Sequence, residues 1–410
     1  MNKVANSERL HIAIVGKRNV GKSSLINSLL GQDLAIVSEV AGTTTDPVKK
    51  AAELLPFGPV VIVDTAGIDD KGELGQKRIS KTVNALSSAD FAIVVLDGRD
   101  RLSDKERELF SYLEKISIDY IIAVNKIELG VNPQLLEELK EYKALHFEIS
   151  CKENIGTDSM KWKMISILPQ EQERTIAGDL IGKGDVIVLV VPIDTGAPKG
   201  RIILPQVQTL RESLDEDAIS VVVKERELRG ALSHLKVLPD LVVTDSQAIK
   251  SVMEDVPEEV PLTTFSILMA RYKGDLPLFV EGLNKVEELK DSNKVLVAEA
   301  CTHHAREDDI GTVKIPGWLR MHTKKDLQID IAHGHDFPND VSNYDLIVHC
   351  GGCMITRKAM QSRVNQAKML NIPIVNYGVL ISYMHGAIPR TIQPFDEAMA
   401  QWDRMQLQPL

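Results

Sequence analysis

Residues 11–30 have the sequence HIAIVGKRNVGKSSLINSLL, and this stretch decides the fold of the first part of the chain. An apolar strand, HIAIV, precedes a loop of the pattern G-x-x-x-x-G-K-S at residues 16–23, and an amphipathic helix follows. In this pattern backbone N–H groups point at phosphates, the lysine reaches the terminal phosphates and the serine hydroxyl holds Mg²⁺. The stretch predicts a nucleotide-phosphate site. Its candidate residues are Gly16, Asn19, Val20, Gly21, Lys22, Ser23 and Ser24.

Two further polar motifs, at residues 42–46 and 64–67, suit the same phosphate and Mg²⁺ site. Asp64-Thr65-Ala66-Gly67 ends the strand VVIVD, so that Asp64 can hold Mg²⁺ and the Gly67 N–H can contact the third phosphate. The loop GTTTD, residues 42–46, is suited to closing over the metal ion through Thr44. The predicted Mg²⁺ ligands are therefore Ser23, Thr44 and Asp64. The predicted catalytic residues are Lys22, Thr44, Asp64 and Gly67.

Two further motifs complete a nucleotide-binding set. Asn125-Lys126-Ile127-Glu128 ends the strand YIIAVN, and Ser150-Cys151-Lys152 ends the strand-like HFEIS. These five elements, in this order, resemble a translation-factor-class GTPase domain. The resemblance implies that the chain hydrolyses GTP, that Asn125, Lys126 and Glu128 recognise guanine, and that the segment Ser150, Cys151 and Lys152 supports them. Glu128 stands where that family usually has aspartate.

Details of the phosphate loop narrow the subclass. Ile68 follows Gly67, where Ras-like enzymes carry a glutamine that orients water, so slow intrinsic hydrolysis is expected. Asn19 and the GTTTD loop resemble the TrmE-like GTPases, which implies K⁺ bound near the phosphates through Asn19 and activation by pairing of domains. The alternative is that Asn19 only caps the turn.

Composition excludes several functional classes. The 410 residues carry a formal charge of −10, with 26% charged and 44% hydrophobic residues, as in an ordinary folded protein. We find no basic stripe for nucleic acid, no apolar run of the roughly 20 residues that a membrane span needs, and no secretion signal at the start. We therefore expect no membrane and no nucleic-acid partner, and a cytoplasmic location.

Apolar strand-like runs alternate with helix-length stretches along the chain, which predicts α/β folds with largely parallel sheets. Polar breaks near 170–182 and near 265–275 divide the runs. We expect three domains: a P-loop GTPase domain at 1–172, and two further α/β domains at 180–265 and 270–410. Since the middle block carries strong strands and no catalytic constellation, interaction is its expected use.

Cysteine and histidine cluster near the end of the chain. Three of the four cysteines and seven of the ten histidines follow residue 300. One group, Cys301-Thr302-His303-His304, follows the strand KVLVAEA, and the other, His349-Cys350-Gly351-Gly352-Cys353, ends the strand YDLIVHC. Buried structural cysteines, a tetrahedral zinc site and an iron–sulfur cluster are the competing interpretations. With only three thiolates, a cluster would have one iron held by another ligand.

The pattern C-x-H followed by H-C-x-x-C, on a chain that begins with a TrmE-like GTPase, resembles the HydF family, the maturation GTPases of FeFe-hydrogenases. The resemblance implies that Cys301, Cys350 and Cys353 hold a 4Fe–4S cluster, with His303 and His349 as candidates for the fourth ligand. It also implies a homodimer formed through the middle domain. The family role is a scaffold that receives a di-iron precursor from two radical enzymes and delivers it to apo FeFe-hydrogenase. The alternatives are a zinc-containing GTPase of RNA modification or ribosome assembly, and a redox-sensing switch.

Overall fold

The computed structural model of the chain describes residues 5–30, 38–40, 48–68, 82–169, 174–192, 202–300, 309–334, 337–338 and 340–407. The chain divides into two compact units, Met1–Gln172 and Glu173–Leu410. The three-domain division at 1–172, 180–265 and 270–410 stays a prediction.

One mixed sheet organises the first unit. Its strands are β1 (Leu10–Val15), β2 (Ser38–Val40), β3 (Val48–Leu54), β4 (Gly58–Asp64), β5 (Phe91–Asp97), β6 (Asp119–Asn125) and β7 (His146–Glu148). They lie in the order β2-β3-β4-β1-β5-β6-β7. The strands from β4 to β7 pair in parallel, whereas β3 pairs antiparallel with both β2 and β4.

Helices cover both faces of this sheet. They are α1 (Lys22–Leu30), α2 (82–87), α3 (Asp104–Lys115), α4 (Pro133–Leu139) and α5 (Thr157–Ile167). Successive side chains of β1 alternate between two apolar clusters: Ile12 and Ile14 belong to one, Ala13 and Val15 to the other. This is the arrangement that a continuous apolar strand predicts.

The second unit contains two sheets of four parallel strands. The first, in the order β11-β10-β8-β9, consists of β8 (Val186–Val190), β9 (Ile219–Val223), β10 (Leu241–Thr244) and β11 (Leu262–Thr264). Its helices are α6 (Leu204–Asp215), α7 (Leu228–His234), α8 (Ile249–Asp255) and α9 (Phe265–Lys273).

The second of these sheets has the order β13-β12-β14-β15, with β12 (Lys294–Glu299), β13 (Gln328–His333), β14 (Leu346–His349) and β15 (Ile374–Asn376). The accompanying helices are α10 (Leu276–Glu281), α11 (Leu283–Glu288), α12 (Ile315–Thr323), α13 (Arg357–Met369), α14 (Tyr377–Met384) and α15 (Asp396–Leu407). The predicted class, a P-loop domain followed by further α/β structure, is confirmed. None of the described helices is both long enough and apolar enough to cross a membrane.

Two details of the sequence prediction are wrong. The pair β2 and β3 was not predicted, because the β3 sequence VKKAAEL places three charged residues among its apolar ones and lacks a continuous apolar run. The apolar run IPIVNYG, residues 372–378, predicts a strand over its whole length, but β15 ends at Asn376 and α14 begins at the next residue. The Asn376 side chain accepts a hydrogen bond from the Gly378 N–H at 2.7 Å, which caps the helix and stops the strand.

Candidate functional site

The phosphate loop connects the end of β1 to the start of α1, as the motif requires. Its backbone curls tightly: φ is +102° at Gly21 and +60° at Asn19. A Cβ at Gly16 would collide with the carbonyl oxygen of Val95, and one at Gly21 with the amide of Asn125. Glycine is therefore required at both positions to bring the loop against β5 and β6.

The side chains predicted for phosphate and Mg²⁺ lie together at this loop. The Lys22 Nζ donates to the carbonyl oxygens of Gly16 at 3.0 Å and Lys17 at 2.7 Å. The Ser23 Oγ donates to the Asp64 Oδ2 at 3.3 Å, so the two predicted metal ligands are adjacent. Burial raises the pKa of Asp64, and the nearby Lys22 opposes that shift. A hydroxyl and a carboxylate at this spacing suit a hard cation.

Hydrogen bonds hold the segment that carries Gly67 next to the end of β1 and the phosphate loop. The Thr65 Oγ1 donates to the Ile14 carbonyl at 2.9 Å, and the Ile68 N–H donates to the Gly16 carbonyl at 3.4 Å. Ile68 is buried at 8% exposure and packs in an apolar cluster, so it presents no polar group to water. Thr44, predicted to complete the Mg²⁺ site, lies outside the described residues.

Asn125 links the predicted base-binding loops to the phosphate loop. It is buried, its Nδ2 donates to the Val20 carbonyl at 2.9 Å, and its Oδ1 accepts from the Cys151 N–H at 3.1 Å. Lys126 adopts φ +68° and its Nζ donates to the Asn19 carbonyl. The segments at 16–23, 125–128 and 150–152 therefore form one connected surface, while Ser24 lies exposed at the start of α1.

One carboxylate oxygen of Glu128 is available to accept a hydrogen bond from a ligand. A hydrogen bond with the Ser150 side chain lowers the pKa of Glu128, which keeps the carboxylate ionised. Its Oε2 is buried and has no hydrogen-bond partner among the described residues. A buried acceptor without a donor is costly unless a ligand satisfies it. The two N–H groups at the edge of guanine are donors of the required kind.

Sequence reasoning missed two acidic residues that support these loops. Asp97, the last residue of β5, binds the Lys126 Nζ at 2.8 Å and the Arg99 Nη2 at 2.8 Å. The hydrogen bond with Arg99 is the main cause that holds the pKa of Asp97 well below its usual range. Glu106 of α3 pairs with Lys17 of the phosphate loop at 2.8 Å. The position of Asp97 at a strand end was the signal that could have identified it.

In the second unit, the cysteine loop (residues 350–353) follows β14 and precedes α13. The Cys350 Sγ accepts hydrogen bonds from the N–H groups of Ala300 at 3.1 Å and Gly352 at 3.4 Å. Cys350 therefore lies beside the end of β12, next to the residue that precedes Cys301. Cys301 and His303 themselves lie outside the described residues. Within the described parts of the chain, no group of three or more possible ligands could hold a metal ion.

The chemistry of this loop fits a thiophilic metal centre. Gly352 has φ +65°, and a Cβ there would lie 2.5 Å from the Met360 Cε, so the loop closes tightly over α13. Burial raises the pKa of Cys350 to about 11 and also raises that of Cys353. The metal-free thiols are thus protonated near neutral pH, and a metal must displace those protons to bind. Two soft sulfur donors on one short loop suit zinc or iron–sulfur.

His349 is held by its neighbours. It is fully buried, its Nδ1 lies 2.8 Å from the Cys350 carbonyl oxygen, and its Nε2 lies 2.9 Å from the Arg363 Nη1. Burial, with a contribution from Arg363, lowers the pKa of His349 to about 3, so the imidazole is neutral. The role of His349 as a fourth ligand stays a prediction, and it requires either the Nε2 contact with Arg363 or the Nδ1 contact with the Cys350 carbonyl to break.

Family models match most of the chain. Residues 176–274 match the hydrogen maturase F dimerization domain and residues 277–394 match the hydrogen maturase F tetramerization domain. Residues 11–126 match the 50S ribosome-binding GTPase model. The prediction of a GTPase domain in the first unit is thereby confirmed.

Individual curated relatives match less than half of the chain. The chain is 35% identical over 165 residues to the tRNA modification GTPase MnmE of Chromobacterium violaceum, which is 39% of this chain and 35% of that protein. It is 30% identical over 169 residues to the GTPase Der of Campylobacter fetus, 41% of this chain and 36% of that protein. The chain thus spans about a third of the length of these curated relatives.

Among solved structures, Era of Aquifex aeolicus bound to GDP and AlF₄⁻ matches with a TM-score of 0.33 and 20% identity, over 58% of this chain and 95% of that chain. The G domain of the T. maritima iron transporter FeoB matches with a TM-score of 0.30 and 21% identity, over 39% of this chain and 98% of that chain.

Proposed function

This chain belongs to the hydrogen maturase F family, and we propose that it is a GTP-hydrolysing scaffold that carries a di-iron precursor to apo FeFe-hydrogenase. The two hydrogen maturase F models, which together extend from residue 176 to residue 394, confirm the family resemblance of the sequence motifs. The observation that carries the scaffold proposal is the cysteine loop, which lies against the strand that leads to Cys301. The models do not favour the alternative of a zinc-containing GTPase in RNA modification.

The first unit supplies nucleotide hydrolysis in this proposal. Lys22 would neutralise charge on the terminal phosphates, and Ser23 with Asp64 would hold Mg²⁺, which when bound would stabilise negative charge on the phosphate oxygens. Because Ile68 cannot orient water, another group must do so, and turnover by the isolated chain is slow. The exposed side chain of Asn19, on a loop with positive φ, is open to a K⁺ ion beside the phosphates.

The second unit supplies the metal centre. Cys350 and Cys353, joined by Cys301, would hold a 4Fe–4S cluster, whose fourth iron accepts an exchangeable ligand when only three thiolates are present. In the protein itself, two backbone N–H groups already point at the Cys350 sulfur, so they are oriented to stabilise a thiolate there. Radical enzymes would deliver the di-iron precursor to this centre, and the protein would then transfer it to apo FeFe-hydrogenase.

The sheet with the strand order β11-β10-β8-β9 offers a surface for oligomerisation. Strand β9 lies at the edge of its sheet, where backbone hydrogen-bonding groups remain available to another chain. It exposes Ile219 at 55% and Val222 at 47%, and Leu214 of the neighbouring α6 is exposed at 56%. An apolar edge of this kind favours burial against a second copy. We propose a homodimer formed through this sheet, in a cytoplasmic protein.

Activation of apo FeFe-hydrogenase tests the function. Wild-type protein, loaded anaerobically in the presence of the radical maturation enzymes, is expected to activate the apoenzyme. Cys350→Ser is expected to fail while GTP hydrolysis continues, because that cysteine lies in the other compact unit. Cys151→Ser is the matched control: Cys151 contacts Asn125 through its backbone N–H, which serine keeps, so this variant should still activate. Full activation by Cys350→Ser would contradict the scaffold proposal and leave the GTPase untouched.

A further inference from the structure

A buried carboxylate joins the first turn of helix α3 to the phosphate loop. Glu106 is 3% exposed, and its Oε2 accepts hydrogen bonds from the Ser103 N–H at 2.8 Å and the Ser103 hydroxyl at 2.7 Å. The same oxygen lies 2.8 Å from the Nζ of Lys17, the residue that follows Gly16. One carboxylate therefore caps the helix and binds the loop.

The helix cap does not explain why this residue is charged. Glutamine serves as well as glutamate at the third position of a capping box, because only an acceptor is needed there. A buried carboxylate is costly to desolvate unless a cation lies close to it. Lys17 supplies that cation, and its own side chain is only 20% exposed. The contact with the phosphate loop therefore explains the charge of Glu106.

The loop residue that Glu106 holds also positions Lys22. The Lys22 Nζ donates to the carbonyl oxygens of Gly16 at 3.0 Å and Lys17 at 2.7 Å. Helix α3 thus fixes the Lys17 side chain, while the Lys17 carbonyl oxygen binds the lysine that is predicted to reach the terminal phosphates. A displacement of Lys17 would therefore displace an acceptor of Lys22.

Helix α3 also contacts the segment that carries Gly67. The Lys105 Nζ donates to the Ile68 carbonyl at 3.2 Å, and the Ile68 N–H donates to the Gly16 carbonyl at 3.4 Å. The Ile68 side chain belongs to the same apolar cluster as Leu109 of α3. The neighbour of Gly67 is therefore hydrogen-bonded to α3 on one side and to the phosphate loop on the other.

We propose that Glu106 is a positioning residue: through Lys17 it holds α3, the Gly67 segment and the phosphate loop in the arrangement that hydrolysis of the third phosphate requires. This role rests on the proposed GTP hydrolysis, in which Lys22 and the Gly67 N–H contact that phosphate. GDP lacks the third phosphate, so the contact should contribute more to turnover than to GDP binding. Small displacements of groups at the reacting phosphate are enough to lower the rate.

The test uses the full-length protein and measures kcat for GTP hydrolysis with saturating Mg²⁺, the Kd for a fluorescent GDP analogue, and the melting temperature. Glu106→Gln keeps an acceptor for the helix cap and removes the charge that holds Lys17. Lys17→Gln breaks the same ion pair from the other side, and a double variant combines the two changes. Ser103→Ala is the matched control, because it removes a hydroxyl from the helix cap and keeps both charges of the ion pair.

We expect Glu106→Gln and Lys17→Gln each to lower kcat by about fivefold or more, and by a larger factor than they change the Kd for GDP. The double variant should stay within about twofold of the slower single variant, because both changes break one contact. Ser103→Ala should lower the melting temperature and keep kcat within about twofold of the wild type. If Glu106→Gln does not fold, Lys17→Gln decides, since Lys17 lies partly exposed on the loop.

A fall in kcat of less than about fivefold in either single variant that folds would overturn the inference, even with a lowered melting temperature, because a purely structural role predicts that combination. Rate losses that multiply in the double variant would overturn it too, as would a loss of GDP affinity as large as the loss of kcat. Wild-type protein that does not hydrolyse GTP would instead refute the proposed function, so the two failures are distinguishable.

Discussion

Replacing Asp97 by asparagine tests whether the base-binding loop is held electrostatically. The Asp97 carboxylate is 7% exposed and binds Lys126 and Arg99, each at 2.8 Å. Lys126 in turn reaches the phosphate loop through the Asn19 carbonyl. Asp97→Asn keeps the size of the side chain and removes its charge, so the loops should lose their common anchor while the core packing is unchanged.

The expected magnitude follows from the kind of bond that is lost. A hydrogen bond to a charged group contributes about 1.5–3 kcal/mol, and the asparagine oxygen still accepts one weaker bond, which leaves a loss of about 1–2 kcal/mol. At about 1.4 kcal/mol per factor of ten, GDP should bind roughly 5–30-fold more weakly. Titration with a fluorescent GDP analogue measures this directly.

The low pKa of Asp97 also predicts how the effect of Asp97→Asn depends on pH. Because the folded pKa of Asp97 is depressed, its contribution is fully present above the unfolded pKa of about 3.9 and is lost as the pH falls through the folded value. The difference between wild type and variant should therefore be the same at pH 6 and pH 8, where Asp97 is ionised throughout.

Arg99→Gln is the matched control for this prediction. Arg99 shares the same carboxylate but its side chain is 50% exposed, so its loss should change GDP affinity by less than about threefold. Wild-type affinity in Asp97→Asn, or an equal loss in Arg99→Gln, would refute the idea that Asp97 acts through Lys126.

Three further predictions concern the base, the cation and the oligomer. Glu128→Ala should weaken GDP binding by roughly 10–150-fold, since it removes an acceptor of about 1.5–3 kcal/mol, whereas Glu128→Asp should keep the preference for GDP over ADP in competition titrations. GTP hydrolysis should be faster in K⁺ than in Na⁺, and Asn19→Ala should abolish that difference; equal wild-type rates in the two salts would remove the K⁺ assignment. Ile219→Asp on the edge strand β9 should shift light scattering towards a monomer, while Leu129→Asp, which is similarly exposed at 54% in the GTPase unit, should not; a dimeric Ile219→Asp protein would place the interface elsewhere.

Contiguous motifs explain why the sequence could indicate which residues of the candidate nucleotide site lie together. The phosphate loop and the motif that contains Asn125 are each one short segment at the end of a strand. The carboxyl ends of parallel strands meet at one edge of a sheet, so the two motifs are expected to lie together. The continuous apolar runs of β1 and β5 predict strands covered on both faces, and both strands are almost completely buried. The local sequence therefore allows prediction wherever one short segment both determines the secondary structure and carries the functional side chains.

Supporting residues were not predictable, because their partners are distant in sequence. Lys273 contacts carbonyls about 80 positions later in the chain, and Glu106 contacts Lys17 across the first unit. Each looks like an ordinary helix residue in the sequence, since lysine and glutamate at helical positions normally face solvent. Only the fold shows that these charges are buried. Strand β3, which lies between β2 and β4, was missed for the opposite reason, since its lysine and glutamate residues interrupt the apolar pattern that indicates a strand.

Metal analysis of the wild-type protein, purified without oxygen, tests the central claim most directly. We expect a brown protein that carries about four iron atoms per chain after reconstitution and gives the electron spin resonance signal of a 4Fe–4S cluster on reduction. We also expect that Cys350→Ser and Cys353→Ser lose that iron while Cys151→Ser retains it. A colourless protein with one tightly bound zinc per chain and no iron would contradict the account, because the cysteine loop would then be a closed structural site.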